Sequence, residues 1–205
     1  MASNVDVCNM ALSLIGSDAI VSSIDPVDGS IEAGHCARFL KQARTEMLDA
    51  YTWRWSATRV ALALVPNPSL TWGYAYGLPS NMLSPTRVLT GGFTSPYEAA
   101  LLNERSTADF EIEGSTLLTN EPNAVLLYTV DVADLTAWSP GSITALSYLL
   151  ASFLAGPLIK GDAGASVGGK MRQIAVKLGA AAMAKDANSG AEPAFDTASS
   201  IRARE

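Results

Sequence analysis

The chain has little of the chemistry that most enzymes need. Its 205 residues include one histidine, His35, and two cysteines, Cys8 and Cys36. No aspartate pairs with His35 in the sequence, so a Ser, His and Asp triad has no positive support, and metal binding lacks further ligands. His35 and Cys36 are adjacent, and adjacent helical residues point about 100° apart, so they do not form a nucleophile and base pair. We therefore expect no enzyme activity, no cofactor and a partly exposed, structural His35.

Cationic residues are also scarce. Lys and Arg number 14 against 20 Asp and Glu, which gives a formal net charge of −6 and a sequence pI near 4.8. A protein that grips phosphate backbones needs clustered Lys and Arg. Direct nucleic-acid binding is therefore not expected.

Long hydrophobic runs are missing as well. No run reaches the roughly eighteen apolar residues that a spanning helix needs, and the N-terminal MASNVDVCNM lacks a cationic start followed by an apolar region. Cys8 and Cys36 fall on apolar helical faces, which favours two buried thiols in a reducing compartment over a disulfide. With 48% hydrophobic residues, the chain can bury one substantial core, with or without a smaller inserted layer. We expect a soluble protein that is not processed by secretion.

Four segments have the apolar period of amphipathic helices. The first begins at Ser3 or Asn4 and ends at Gly16, and the second covers residues 30–51. The third begins at Pro140 with the preceding serine as N-cap, and should be the most buried.

The third helix should end or kink at Gly156-Pro157, because proline lacks a backbone donor and clashes with the preceding turn. The fourth helix covers roughly residues 165–186. Between the second and third helices, short alternating runs broken by Pro and Gly predict strands, with a two-residue hairpin turn at Gly114-Ser115.

These patterns predict an α+β fold in which a four-helix bundle is interrupted by a β-rich domain between the second and third helices. The helical domain covers residues 1–55 and 136–187, and the inserted β-rich domain covers residues 56–135. Residues 188–205 contain few hydrophobes and cannot bury enough apolar surface alone to be ordered. They are interpreted as an extended C-terminal arm.

Three further patterns have a chemical and a structural interpretation. Residues 164–170 fit the phosphate-loop spacing G-x-x-x-x-G-K, but they follow a helix and Met171 stands where a magnesium-binding Ser or Thr is needed, so we interpret the glycines as an inter-helix turn. Asp109, Glu111 and Glu113 alternate along a strand; they form a cation site or, as is more usual, a solvated strand face. Trp53, Trp55 and Trp72 are expected in a core or interface rather than stacked on bases.

The polar face of the second helix carries charges of both signs. A face repeated around a ring needs such a mixture, so that the cations of one subunit meet the anions of the next. An ordinary solvated helix face is the alternative. The candidate subunit-interface residues are Arg38, Lys41, Arg44, Glu46 and Asp49.

Five segments in order resemble one known family. They are CNMALSLIG, IVSSIDPVDGS, ARFLKQARTEML, YTWRW and WGYAYGLPSNML. Their order and spacing over about the first 90 residues resemble the head-to-tail adaptors of short-tailed bacteriophages, also called tail tubular protein A or gatekeeper proteins. The strands and the last two helices match only in pattern, and the residues after Asn188 show no comparable motif.

The resemblance implies a structural virion protein. In that family a dodecameric ring lies below the portal, its helical layer faces the portal and neighbouring subunits, and its β domain faces the tail nozzle. DNA passes through the ring without sequence-specific binding. By analogy, we expect a homo-oligomeric ring in the virion neck, assembled in the bacterial host cytoplasm, with no membrane partner.

The portal and the nozzle protein are the expected partners, and a tail fibre or tailspike stays open as a further one. The C-terminal arm would dock on the portal through Phe195, Ile201, Arg202 and Arg204. Two alternatives remain open: a virion-associated hydrolase, and a head-completion ring protein of a long-tailed phage.

Overall fold

The structure, a computed structural model, describes residues 2–89 and 107–189. All four predicted helices are present within these residues. Ser3, Ser30 and Ser139 cap the first three, each accepting a hydrogen bond from the backbone N–H three residues later. The helices are α1 (Asn4–Leu14), α2 (Ile31–Asp49), α3 (Pro140–Leu158) and α4 (Asp162–Ala187).

The described strands form two small antiparallel sheets. One sheet has the order β1-β7-β3-β4 and the other β2-β6-β5. The predicted hairpin at Gly114-Ser115 is confirmed: Glu113 pairs with Thr116, and Gly114 has the positive φ of 58° that this tight turn requires. The strands are β1 (Ala57–Ala61), β2 (Tyr74–Gly77), β3 (Met82–Leu89), β4 (Thr107–Ala108), β5 (Phe110–Glu113), β6 (Thr116–Thr119) and β7 (Val125–Val130).

Two hydrophobic clusters hold these elements together. The larger one is formed by the four helices together with Trp53 and Trp138, and the smaller one lies between the two sheets around Tyr76, Leu117 and Leu126. The helices and the sheets therefore each have a core of their own.

Helix α3 has the most buried residues of the four described helices, as predicted, and it packs against α1, α2 and α4. By length and composition alone it could also cross a membrane, with a mean hydropathy of 1.4 over its most apolar window. Half of that window is buried inside the protein, as is typical of a core helix.

The prediction of a glycine-rich turn between the last two helices is wrong. Helix α4 begins at Asp162, so Gly164 and Gly168 lie inside it, and the connection is made earlier, at Gly161 with a φ of 73°. A Cβ atom on Gly164 would stand 2.2 Å from the carbonyl oxygen of Ile159, and one on Gly168 would stand 3.0 Å from that of Ser152. Both glycines thus allow close backbone approach to the end of α3.

Pro157 lies in the last turn of α3, which ends one residue later, in agreement with its predicted role as a helix terminator. Small residues on facing helices then permit the dense α3 and α4 contact. The C-terminal end of α4 reaches Arg54, whose backbone N–H donates to Asp186 Oδ2 at 3.0 Å.

The connection between α1 and α2 is held by polar side chains. Asn9 bonds both backbone groups of Val21, donating to its oxygen at 2.8 Å and accepting from its N–H at 3.0 Å. Asp28 accepts from the backbone N–H and hydroxyl groups of Ser22 and Ser30. The hydrogen bond from the Ser22 backbone, followed by those from Ser30, lowers the pKa of the Asp28 carboxyl well below its usual range.

Candidate functional site

Three of the five predicted interface residues lie on the outward face of α2. Arg38, Lys41 and Asp49 are exposed, and none forms an ion pair with another residue in the described part of the chain. They form a stripe of mixed sign along one side of the helix. Whether this stripe meets another subunit stays a prediction.

The prediction that Arg44 belongs to this free polar face is wrong. Arg44 is only 8% exposed. Its guanidinium forms a bidentate ion pair with Asp131, in which Nε donates to Oδ1 at 2.7 Å and Nη2 donates to Oδ2 at 2.9 Å. Asp131 directly follows β7, 87 residues further along the chain. The pair therefore fixes α2 to the end of the first sheet, and the helical period of α2 alone cannot reveal it.

Glu46 also has a partner within the chain. It is half-buried and pairs with Arg172 of α4. The guanidinium of Arg172 lies 5.9 Å from the centre of the Phe153 ring, which adds a cation–π contact. Glu46 thus connects α2 to α4. Its carboxylate is already paired, whereas that of Asp49 forms no ion pair with another described residue.

His35 and the cysteines have structural positions. The His35 ring stacks on Phe39 with centroids 6.3 Å apart, and Phe39 stacks on Phe153 in turn. Cys8 and Cys36 are free thiols with no exposed surface, as predicted. A hydrogen bond to the Cys36 thiol, and then burial, raises the pKa of Cys8 above its ordinary value. A protonated, inaccessible thiol is not a nucleophile.

The phosphate-loop spacing has no matching geometry. Residues 164–170 are helical, so most of their backbone N–H groups are used within α4, and Lys170 points into solvent. Among residues 2–89 and 107–189, no group of three or more His, Cys, Asp or Glu side chains could hold a metal ion. Asp109, Glu111 and Glu113 are exposed, and Glu111 accepts a hydrogen bond from Trp72 Nε1 at 3.0 Å.

Aromatic side chains join the helices where α2 ends and α3 begins. Trp53 is fully buried and lies 5.2 Å from Tyr51 and 5.5 Å from Trp55 between ring centroids. Trp55 in turn lies 4.5 Å from Trp138. The expectation that Trp53 and Trp55 fill a core is confirmed.

A cleft of about 710 Å³ lies beside this aromatic cluster, where the segment after α2 crosses the first sheet. We call it the arginine cleft; sequence reasoning did not find it. Strand pairing places Arg59 on β1 and Arg87 on β3 opposite the same residue of β7, Leu127. The two arginines are 28 positions apart in the sequence, and no local pattern connects them. The cleft is lined by Tyr51, Thr52, Arg54, Ala57, Arg59, Thr86, Arg87 and Leu127.

The predicted portal-binding residues of the C-terminal arm lie outside the described residues. These are Phe195, Ile201, Arg202 and Arg204. The structure follows the chain to Ser189, just after α4 ends.

The described residues define a mixed α and β protein with four helices and two small antiparallel sheets. No protein-family model matches the chain, and no curated protein matches it significantly. Its function is therefore inferred from its own residues.

Proposed function

We propose that the chain is a structural virion protein, the head-to-tail adaptor of a bacteriophage. Copies of it form a ring, dodecameric by analogy, that links the portal to the tail nozzle and surrounds part of the DNA channel. The ring resides in the virion neck and assembles in the cytoplasm of the bacterial host. The chain acts without catalysis.

The observation that carries this proposal is the order of the elements. Two helices precede the strands and two follow them, and α3 packs against both α1 and α2 across the intervening β segment. This order supports a four-helix bundle from residues 1–55 and 136–187, with a β-rich domain at residues 56–135 inserted into it. The same order is implied by the resemblance of the first 90 residues to the adaptor family.

In this proposal the exposed stripe of α2 contributes to the contact between neighbouring subunits. Arg38 and Lys41 lie toward its middle and Asp49 at its end, so a neighbour placed head to tail can pair opposite charges. Arg44 and Glu46 serve the ring indirectly by fixing α2 to the sheet and to α4. A stripe of this size buries too little area to hold a stable ring alone, so assembly needs the portal.

Residues 188–205 form the portal-binding arm in this proposal. They follow the end of α4, and their composition predicts that they become ordered on binding. The acidic balance of the chain suits a channel through which DNA slides, because carboxylates do not hold phosphates.

The test combines the purified chain with the candidate portal protein from the same phage genome. Native mass spectrometry should show monomers for the chain alone and a ring of copies only when the portal is present. Electron microscopy of the complex should place the helices against the portal. If the chain neither binds the portal protein nor forms a ring on it, the proposal is refuted.

Charge reversal tests the α2 stripe. Arg38→Glu with Lys41→Glu should reduce ring formation on the portal, while the chain itself stays folded because both side chains are exposed. Lys170→Glu with Lys177→Glu, which reverses two exposed charges on α4, is the matched control. Equal loss in the variant and the control would mean that overall charge, and not this stripe, drives assembly.

A further inference from the structure

The arginine cleft collects positive charge in an acidic chain. Three of its eight lining residues are arginines, Arg54, Arg59 and Arg87, and none is Asp or Glu. The chain as a whole has a net charge of −6. Such a local reversal of sign creates a potential that attracts anions.

The three arginines have no carboxylate partner among the described residues, whereas Arg44 and Arg172 each have one. Arg59 and Arg87 flank Leu127 on the same face of the sheet, where like charges repel. The Nε atom of Arg87 is buried and has no hydrogen-bond partner. Buried donors are nearly always satisfied, and Arg87 lines the cleft, so its guanidinium has hydrogen-bonding capacity left for a ligand.

The cleft is also pre-organised. Arg54 is held in position because its Nη2 donates to the Ala187 carbonyl oxygen at 3.0 Å. Thr52 and Thr86 also line the cleft, and their hydroxyls form a hydrogen bond with each other at 3.1 Å. These two contacts restrain part of the lining before a ligand binds, which reduces the entropy cost of binding.

We propose that the arginine cleft binds the carboxylate side chains of an acidic polypeptide segment from a partner protein. The guanidinium fork matches a carboxylate with two parallel hydrogen bonds. Arg59 and Arg87 stand two strand spacings apart, roughly 9 to 10 Å, and an extended segment carries same-side residues about 6.8 Å apart. Two acidic residues on one side of such a segment can reach both arginines. The inference does not depend on the adaptor role.

Charge distribution favours a polypeptide over a nucleic acid. Holding a phosphate backbone requires cations along a stripe, and here three arginines meet in one cleft. Asp186 accepts the backbone N–H of Arg54 and places a carboxylate near the cleft, which opposes an extended polyanion. A segment that places only two carboxylates on Arg59 and Arg87 brings less negative charge close to Asp186 than a run of phosphates does.

The test measures binding of a fluorescent hexaglutamate peptide to the full chain by fluorescence anisotropy at about 0.15 M salt, where the Debye length is about 8 Å. A labelled hexathymidylate of similar charge is the comparison probe. The full chain should bind hexaglutamate saturably and more tightly than hexathymidylate. Arg59→Gln with Arg87→Gln should weaken hexaglutamate binding by about tenfold, because each lost charged pair contributes strongly.

Lys170→Gln with Lys177→Gln is the matched control, since it removes the same charge from exposed positions on α4. Its binding should stay within about twofold of the unmodified chain, as expected for distant exposed charges. Arg59→Gln alone tests the cleft without touching the buried Arg87 Nε, because Arg59 is exposed on the edge strand β1. It should weaken binding severalfold while leaving the thermal midpoint unchanged.

Three results would overturn the inference. These are a control that loses as much affinity as the cleft variant, a full chain without saturable binding, and an oligonucleotide that binds more tightly through the same arginines. A fourth result concerns the chain's own C-terminal segment as the occupant of the cleft. It is tested with a variant that carries Glu192→Gln, Asp196→Asn and Glu205→Gln. If only that chain binds the peptide, the occupant is the protein's own C-terminal segment and not a partner.

Discussion

The Arg44 and Asp131 pair should respond asymmetrically to removal of its two partners. The Arg44 side chain is 10% exposed, whereas that of Asp131 is 32% exposed. Asp131→Ala removes the partner of a guanidinium whose side chain is only 10% exposed. Arg44→Met keeps the apolar stem and leaves a carboxylate that can be rehydrated. The first change should therefore cost more stability than the second.

The magnitudes follow from this difference in exposure. Removing one partner of a fully buried pair costs about 3–5 kcal/mol, and solvent at Asp131 lowers this to about 2–3 kcal/mol for Asp131→Ala. Arg44→Met should cost about 1 kcal/mol, since the remaining carboxylate is partly solvated. The double variant should cost less than the sum of the two single changes, by about 1–2 kcal/mol.

Urea unfolding followed by tryptophan fluorescence measures these free energies, because Trp53, Trp55 and Trp138 lie in the core near the pair. Far-UV circular dichroism must give the same midpoint for two-state analysis to hold. For a chain of 205 residues, Asp131→Ala should lower the thermal midpoint by roughly 5–10 °C. Asp49→Ala, an exposed change on the same helix, should alter stability by less than about 0.5 kcal/mol.

Equal costs for the two single changes, together with an additive double variant, would refute the reasoning. That result would mean that the two side chains do not depend on each other and that α2 is held to the sheet by apolar packing alone.

The remaining predictions concern backbone approach, thiols and pH. Gly164→Ala should destabilise the chain by about 1–3 kcal/mol, because its Cβ meets a backbone oxygen, whereas Gly169→Ala, with open space around it, should stabilise it by up to about 1 kcal/mol in urea titrations. Cys8 and Cys36 should resist Ellman's reagent in the native chain and both react in urea; a native reaction would show that the thiols are reachable. The Asp28 carboxyl has a lowered pKa, so its stabilising contribution is present above the unfolded value of about 3.9 and is lost as pH falls below it. Amide chemical shifts of the loop before α2 should stay constant from about pH 7 to 5 in the unmodified chain and differ in Asp28→Asn, while a loop transition near neutral pH would contradict this.

Local signals were enough to predict much of the fold. Ser3, Ser30 and Ser139 are short polar residues that satisfy free N–H groups at helix starts, and this depends only on the next three residues. The turn at Gly114-Ser115 follows from the ability of glycine to adopt positive φ between two alternating runs. Such features were correct because their causes lie within a few residues.

Predictions were missing or wrong for residues whose contacts come from parts of the chain that are distant in sequence. The helical pattern of α2 predicts that Arg44 is a surface residue. It can be buried only because Asp131, which is distant in the sequence, neutralises its charge. The glycines at 164 and 168 resemble a turn in sequence, but the close approach of the α3 backbone makes them helical packing positions. Composition cannot distinguish these cases, because the same residue types serve both purposes.

The amino-acid sequence by itself determined the four helices, the positions of most strands, the buried thiols and the acidic character of the chain, since each depends on residue type and short-range spacing. The tertiary structure alone decided which charges of residues 2–89 and 107–189 are paired with one another and which are not. Arg59 and Arg87 meet only because β1 and β3 pair with the same strand, and that pairing depends on the packing of the whole sheet.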